Sequence, residues 1–205
     1  MGLEKAGKST FINALIGLDI LPTDGARCTY TITNIALRHG PFKIRISPKL
    51  CTFTQFKSRE EQLKKSAGAE GPDGINANID LDQIEKNRTA IEALVSTASA
   101  ANGNSESRIL KDVVDRDIMS TDQARSAMRQ VIANPAVAFA LEEVRVDIWS
   151  PNFISKDESV FDLVDLPGLD SGLRIHEDLA KTAMADADGI IFAQNIEDAD
   201  LPARL

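Results

Sequence analysis

Near its start the chain reads Gly2-Leu3-Glu4-Lys5-Ala6-Gly7-Lys8-Ser9, a fit to G-x-x-x-x-G-K-[ST]. No other feature constrains the fold as strongly. The glycines let the backbone curl so that successive N–H groups face a phosphate. The helix that follows adds the positive end of its dipole. Such a loop is the turn between a strand and a helix, so an α/β architecture is expected. In this pattern Lys8 reaches the β- and γ-phosphates, and the Ser9 hydroxyl holds Mg²⁺.

A second motif, Asp165-Leu166-Pro167-Gly168, closes an apolar run that begins at Phe161. An acid at a strand end binds Mg²⁺ through water in nucleotide-hydrolysing sites. Gly168 can turn its N–H toward a γ-phosphate. Strand-Asp-turn alone is common, but downstream of the first motif it gains weight. Between the two lie Thr29, Thr31 and Thr33. A nucleotide switch needs one hydroxyl to close over Mg²⁺ and the γ-phosphate. Thr29, at a loop-to-strand border, is the candidate, with Thr31 and Thr33 as alternatives. Threonines are also ordinary strand formers.

Composition narrows the class. With 205 residues, 43% of them hydrophobic and 26% charged, the chain is long enough for a sizeable core and is neither disordered nor disulfide-stapled. It carries 23 Lys and Arg against 31 Asp and Glu, a net charge of −8. That argues against nucleic acid or acidic lipid as a nonspecific partner, and leaves a local anion site open. Cys28 and Cys51 have no metal-ligand spacing and read as reduced thiols. There is no apolar run of about 18 residues and no secretory signal, so the expected compartment is the cytoplasm.

The periodicity predicts a helix from Ser9 to Gly17, with Phe11, Ile12, Leu15 and Ile16 forming its stripe. Strands are predicted over Tyr30 to Arg38 and Phe42 to Ser47, joined as a hairpin through His39-Gly40-Pro41. From 57 to 142 the pattern becomes helical and is read as an insertion. Its stripes are Leu81-Ile84-Ile91-Leu94-Val95, Ile109 to Ile118, and Ala124 to Ile132, with a break over Gly68 to Gly74. Val144, Val146 and Ile148 alternate with Arg145 and Asp147 as a half-buried strand. Phe161 to Leu166 is another strand, Ile175 to Asp186 a helix, and Gly189 to Ala193 a buried strand.

Taken together, Gly2, Gly7-Lys8-Ser9-Thr10, Leu21-Pro22 with Cys28-Thr29, and Asp165-Leu166-Pro167-Gly168-Leu169 resemble the G domain of dynamin-type large GTPases. Val146-Asp147-Ile148-Trp149-Ser150-Pro151 is similar to the segment before the D-L-P-G strand there, and Ala187-Asp188-Gly189-Ile190-Ile191-Phe192 to the strand after it. The resemblance implies a P-loop NTPase fold: a mixed, mostly parallel sheet flanked by helices, spanning 1–205, with the helical insertion inside it. It implies GTP or GDP held by Gly2, Lys5, Ala6, Gly7, Lys8, Ser9, Thr10, Asp165 and Gly168. Catalytic roles fall to Lys8, Thr29 and Gly168, and the Mg²⁺ contacts to Ser9, Thr29 and Asp165. Departures are clear too. Lys5 stands where the family usually has Ser, and either supplies positive charge itself or is solvated. Tyr30 stands where Arg is frequent. No [TN]-K-x-D motif follows Phe192.

The expected function is Mg²⁺-dependent GTP hydrolysis stimulated by self-association. Leu169 occupies the place where Ras-like enzymes carry a water-orienting Gln, so the resemblance implies a homodimer through G domains that orders the water instead. Membrane remodelling is implied only through regions outside this chain. An ATP-using P-loop enzyme and a non-enzymatic module are the alternatives. Because the loop motif opens at Gly2 and twelve residues follow Ala193, the chain reads as truncated at both ends.

Overall fold

The computed structural model describes residues 7–23, 31–99, 110, 116–153, 161–166, 181, 183–185, 187–191 and 193. In chain order the elements are α1 (Lys8–Ile16), β1 (Ile32–His39), β2 (Lys43–Leu50), α2 (Phe53–Ala67), α3 (Pro72–Ser99), α4 (Thr121–Ile132), α5 (Pro135–Ala138), β3 (Leu141–Ser150) and β4 (Phe161–Asp165).

The strands form one sheet in the order β2-β3-β1-β4. β1 runs parallel to β3, whereas β2–β3 and β1–β4 are antiparallel. The sheet is therefore mixed, and the mostly parallel arrangement is not seen among the described strands. The expected β1–β2 hairpin does not form, because β3 lies between the two strands. The His39-Gly40-Pro41 turn reverses the chain, and β3 enters between the two strands and pairs with both. Val144, Val146 and Ile148 meet Thr33, Ile35 and Leu37 on one side and Pro48, Ile46 and Ile44 on the other.

Side chains of paired residues share a face, and successive residues alternate. Ile35, Leu37, Ile44, Ile46, Val144, Val146 and Ile148 thus line one face. All are buried in a single apolar cluster with Ile12 and Ile16 of α1, Phe56 and Leu63 of α2, and Met128 and Val131 of α4. The opposite face carries charge. Arg38 and Arg145 both bond Asp147, at 3.0 and 3.1 Å, and Lys43 lies 4.4 Å over the Trp149 ring. Those two guanidinium groups hold the Asp147 carboxyl below the usual range against the opposing effect of its own burial.

Each helix has a local cause. α2 starts with a capping box: the Gln55 amide N–H donates to the Thr52 hydroxyl, and the Thr52 N–H donates to the Gln55 side chain. α3 buries Ile84, Ile91, Leu94 and Val95, with Leu81 packed at the margin, so the predicted stripe is its inner face. Glu60 of α2 is almost fully buried between the two helices. It pairs with Arg88 and Lys64 at 2.9 Å and with Lys57 at 3.2 Å.

Two further expectations fail. Ile118 is extended, not helical. Its N–H and C=O exchange 2.8 Å bonds with Ile44 on the outer edge of β2. Of the strand expected over Gly189 to Ala193, Gly189–Ile191 is neither extended in a ladder nor buried, with Ile190 and Ile191 54% and 56% exposed, whereas Ala193 forms a β-bridge and is half-buried. No described strand forms a ladder with those three residues, and their apolar composition alone does not bury them. Most of the helix predicted over Ile175 to Asp186 lies outside the described residues.

Candidate functional site

α1 begins where the glycine-rich loop ends. Gly7 has φ 76°, a left-handed conformation open to glycine and costly for other residues. The Gly7 carbonyl accepts the first helical bond from Phe11 N–H at 2.8 Å. Lys8, Ser9 and Thr10 occupy the first turn, where unpaired N–H groups and the helix dipole favour an anion. The helix ends at Gly17, also left-handed at φ 69°.

The two sequence motifs meet. The Ser9 hydroxyl donates to Asp165 Oδ2 at 3.0 Å, joining positions 156 residues apart. Asp165 ends β4, is 4% exposed, and sits opposite Thr33 in the β1–β4 ladder. Burial pushes its carboxyl above the ordinary range. The Ser9 hydroxyl, the Lys8 charge and the Leu166 backbone amide pull the other way. A buried carboxylate beside a hydroxyl is a pair of hard oxygen donors. Mg²⁺ takes one or two such protein ligands and fills the rest of its shell with water and phosphate oxygens. The donor set therefore fits Mg²⁺. Among the described residues no cluster of three or more His, Cys, Asp or Glu is placed to hold a metal ion.

The three threonines separate. The Thr31 hydroxyl donates to the Glu142 carbonyl at 2.7 Å, which commits it to the sheet. Thr33 lies within β1, wholly buried, and its hydroxyl has no hydrogen-bond partner among the described residues. Thr29 lies outside the described residues, as do Gly2, Lys5, Ala6, Gly168 and Leu169.

Sequence reasoning missed Asn13. It sits within the apolar stripe of α1, yet it is buried and fully engaged. Its Oδ1 accepts from the amides of Ile20 and Leu21 at 3.2 and 2.9 Å. Its Nδ2 donates to the Leu21 carbonyl at 2.9 Å and to Asp19 Oδ1 at 3.1 Å. Asn13 thereby fixes the chain leaving α1, ahead of Pro22 and the stretch that holds Thr29. An amide placed among Ile12, Leu15 and Ile16 was the available signal. In exchange, Phe11 and Leu15, expected in the core, are 45% and 47% exposed.

A profile of the dynamin family matches residues 1–200. The chain belongs to the dynamin family. This dynamin-family chain accordingly has the P-loop GTPase fold, and membership suggests GTP binding and hydrolysis. It is 44% identical over 64 residues to a bacterial dynamin-like protein of Nostoc punctiforme, a match covering 28% of this chain and 9% of that protein. It is 55% identical over 40 residues to the isoniazid-induced protein IniC of Mycobacterium tuberculosis, covering 20% of this chain and 8% of that one. The dynamin-family chain thus matches less than a tenth of the length of either relative. None of its described helices is long and apolar enough to cross a membrane.

Proposed function

We propose that this chain is a dynamin-type G domain that binds GTP and hydrolyses it with Mg²⁺, with residues 57–142 as a helical insertion. The Ser9–Asp165 hydrogen bond at 3.0 Å is the observation that carries the reading. It supports it because a P-loop serine and a strand-end aspartate converge on one point at the N-terminus of α1.

In this reading Gly2, Lys5, Ala6, Gly7 and Thr10 line the phosphates, and Lys8 neutralises the β- and γ-phosphates. Ser9, Asp165 and Thr29 hold the metal, and the Gly168 N–H meets the γ-phosphate. The bound ion would offset negative charge that builds on the phosphate oxygens. G domains pair as homodimers, which supplies the water-orienting group that Leu169 cannot. The protein works in the cytoplasm and reaches membranes through other regions, and nucleic acid is not a partner.

The test is nucleotide binding with GTP and ATP in parallel, for the wild-type protein and for Lys8→Ala. GTP should bind in strong preference to ATP. Loss of the lysine should weaken GTP binding by about 100-fold, roughly 3 kcal/mol, because a charge-assisted phosphate contact disappears. Undiminished affinity in the variant would remove the phosphate-loop reading, and equal binding of ATP would remove the guanine preference. Specific activity should rise with protein concentration. A flat profile would remove the pairing.

A further inference from the structure

α1 turns a mixed set of side chains toward the core. Ser9, Ile12, Asn13 and Ile16 recur at the spacing of one helix face; the last three are buried and Ser9 is half-buried. A different face is more apolar. Phe11, Ile12, Leu15 and Ile16 form the stripe that burial of hydrocarbon alone would select, yet Phe11 and Leu15 are 45% and 47% exposed. The two faces lie about 80° apart around the helix axis. Apolar burial therefore does not set the rotation of α1. Four hydrogen bonds at Asn13 hold it instead, to the Ile20 and Leu21 amides, the Leu21 carbonyl and Asp19 Oδ1. The anchor is firm: Ile20 and Leu21 are almost fully buried, and Arg125 of α4 holds the Asp19 carbonyl at 2.9 Å.

We propose that Asn13 is a positioning residue for Ser9. It stands one turn further along α1, within about 40° of Ser9 around the axis. The rotation that seats its amide is thus the rotation that aims the Ser9 hydroxyl at Asp165, where the two meet at 3.0 Å. Released from the anchor, α1 turns toward its more apolar face. Ser9 then swings away from Asp165, and the hydroxyl and carboxylate no longer converge on one point. Asn13 touches neither metal nor nucleotide and acts through the aim of one side chain. This role rests on the reading of Ser9 and Asp165 as the metal site.

The experiment is a double-mutant cycle in the full-length protein: wild type, Asn13→Ala, Ser9→Ala and the two changes together. Mn²⁺ is titrated into the GDP-bound form and free Mn²⁺ is read by electron paramagnetic resonance, so no turnover is needed. Asn13→Ala should bind Mn²⁺ about tenfold more weakly than wild type, the lower end of what groups that orient a ligand contribute. In the Ser9→Ala background the same change should alter Mn²⁺ affinity by no more than about twofold, because the side chain it aims is gone. GDP affinity measured in the presence of chelator should fall far less than Mn²⁺ affinity, whereas a general loosening of the fold lowers both alike. If Asn13→Ala does not fold, Asp19→Ala takes its place in the cycle. Asp19 is exposed, and the change removes one of the four anchoring bonds, so about threefold weaker Mn²⁺ binding is expected. Wild-type Mn²⁺ affinity in the anchor variant would overturn the proposal. So would the same weakening with and without Ser9, or an equal fall in GDP affinity. Ser9→Ala separates the two levels. If it binds Mn²⁺ as tightly as wild type, the metal-site reading itself fails. If it loses Mn²⁺ while the anchor variant does not, only the role of Asn13 fails.

Discussion

Arg125 of α4 grips Asp19 twice. Its Nε donates to the Asp19 carbonyl at 2.9 Å, and its Nη2 pairs with the Asp19 carboxylate. The helical block between β2 and β3 is thereby tied to the segment that follows α1. Asp19 is more than half exposed, which screens the ion pair, so charge alone contributes little. Arg125→Ala is expected to lower stability by about 1 kcal/mol, mostly through the bond to the backbone carbonyl. Arg125→Lys should restore only part of this, because an ammonium lacks the forked geometry. Urea denaturation of the three proteins side by side measures both.

Asn13 should matter more. Its four hydrogen bonds are nearly all to groups shielded from water. Asn13→Ala strands the amides of Ile20 and Leu21 and the Leu21 carbonyl. The expected loss is about 3 kcal/mol or more, since each unpaired buried group carries its own desolvation penalty. Asn13→Asp keeps the acceptor but removes both donated bonds and sets a negative charge beside Asp19, so it should not rescue. Denaturant midpoints for both variants, at unchanged slope, are the check.

Glu60 gives the fold an acid-sensitive joint between α2 and α3. The Arg88 hydrogen bond, helped by Lys64 and Lys57, holds its pKa at about 2 against an ordinary 4.5. The folded value lies below the unfolded one. The contribution is therefore complete above the unfolded pKa and is lost as pH falls through the folded one. A shift of that size corresponds to about 3 kcal/mol. Glu60→Gln should be markedly less stable than wild type at neutral pH. The gap should narrow between about pH 5 and about pH 2.5. A constant gap across that range would show that shape, not charge, is what Glu60 contributes.

Gly74 lies in the first turns of α3 against the preceding loop. A Cβ there would fall 2.0 Å from the Ala69 carbonyl oxygen. Backbone cannot yield as a flexible side-chain tip can. Gly74→Ala is expected to destabilise by about 3 kcal/mol despite alanine's better helix propensity. Hydrogen exchange should show the loss at the α2–α3 joint, with the sheet amides least affected.

Local chemistry made the helices and strands easy to read. Gly17 ends α1 because a left-handed residue satisfies the last carbonyls, and the stripe from Ile84 to Val95 has the period of one helix face. The alternation at Val144, Val146 and Ile148 located β3, which runs from Leu141 to Ser150. Strand partners were not legible. The partner of β1 begins more than a hundred residues later, and no local signal could favour it over the adjacent β2. Ile118 was misjudged for the same reason: its apolar neighbours suggested a helix, while its backbone partner, Ile44, is 74 positions away. Motif spacing placed Ser9 and Asp165 in one proposed site, and they do lie in contact. The orphan hydroxyl of Thr33 and the four bonds of Asn13 needed three-dimensional packing to appear.

The clasp between Ile118 and Ile44 bears on how the protein behaves when crowded. In an antiparallel strand, alternate residues turn both N–H and C=O to the same side. Ile44 turns both outward to Ile118, so Ile46 and Pro48 face outward as well. Pro48 has no N–H to offer, and Ile44 is already occupied. Asp117, held by Lys43 at 3.3 Å and by Arg45 at 2.7 Å, keeps the clasp seated. An incoming strand meets a single free donor, at Ile46, over those three positions. Open sheet edges invite strands from other molecules to join. Here a short clasp and one proline stop sheet-to-sheet growth of this protein along β2.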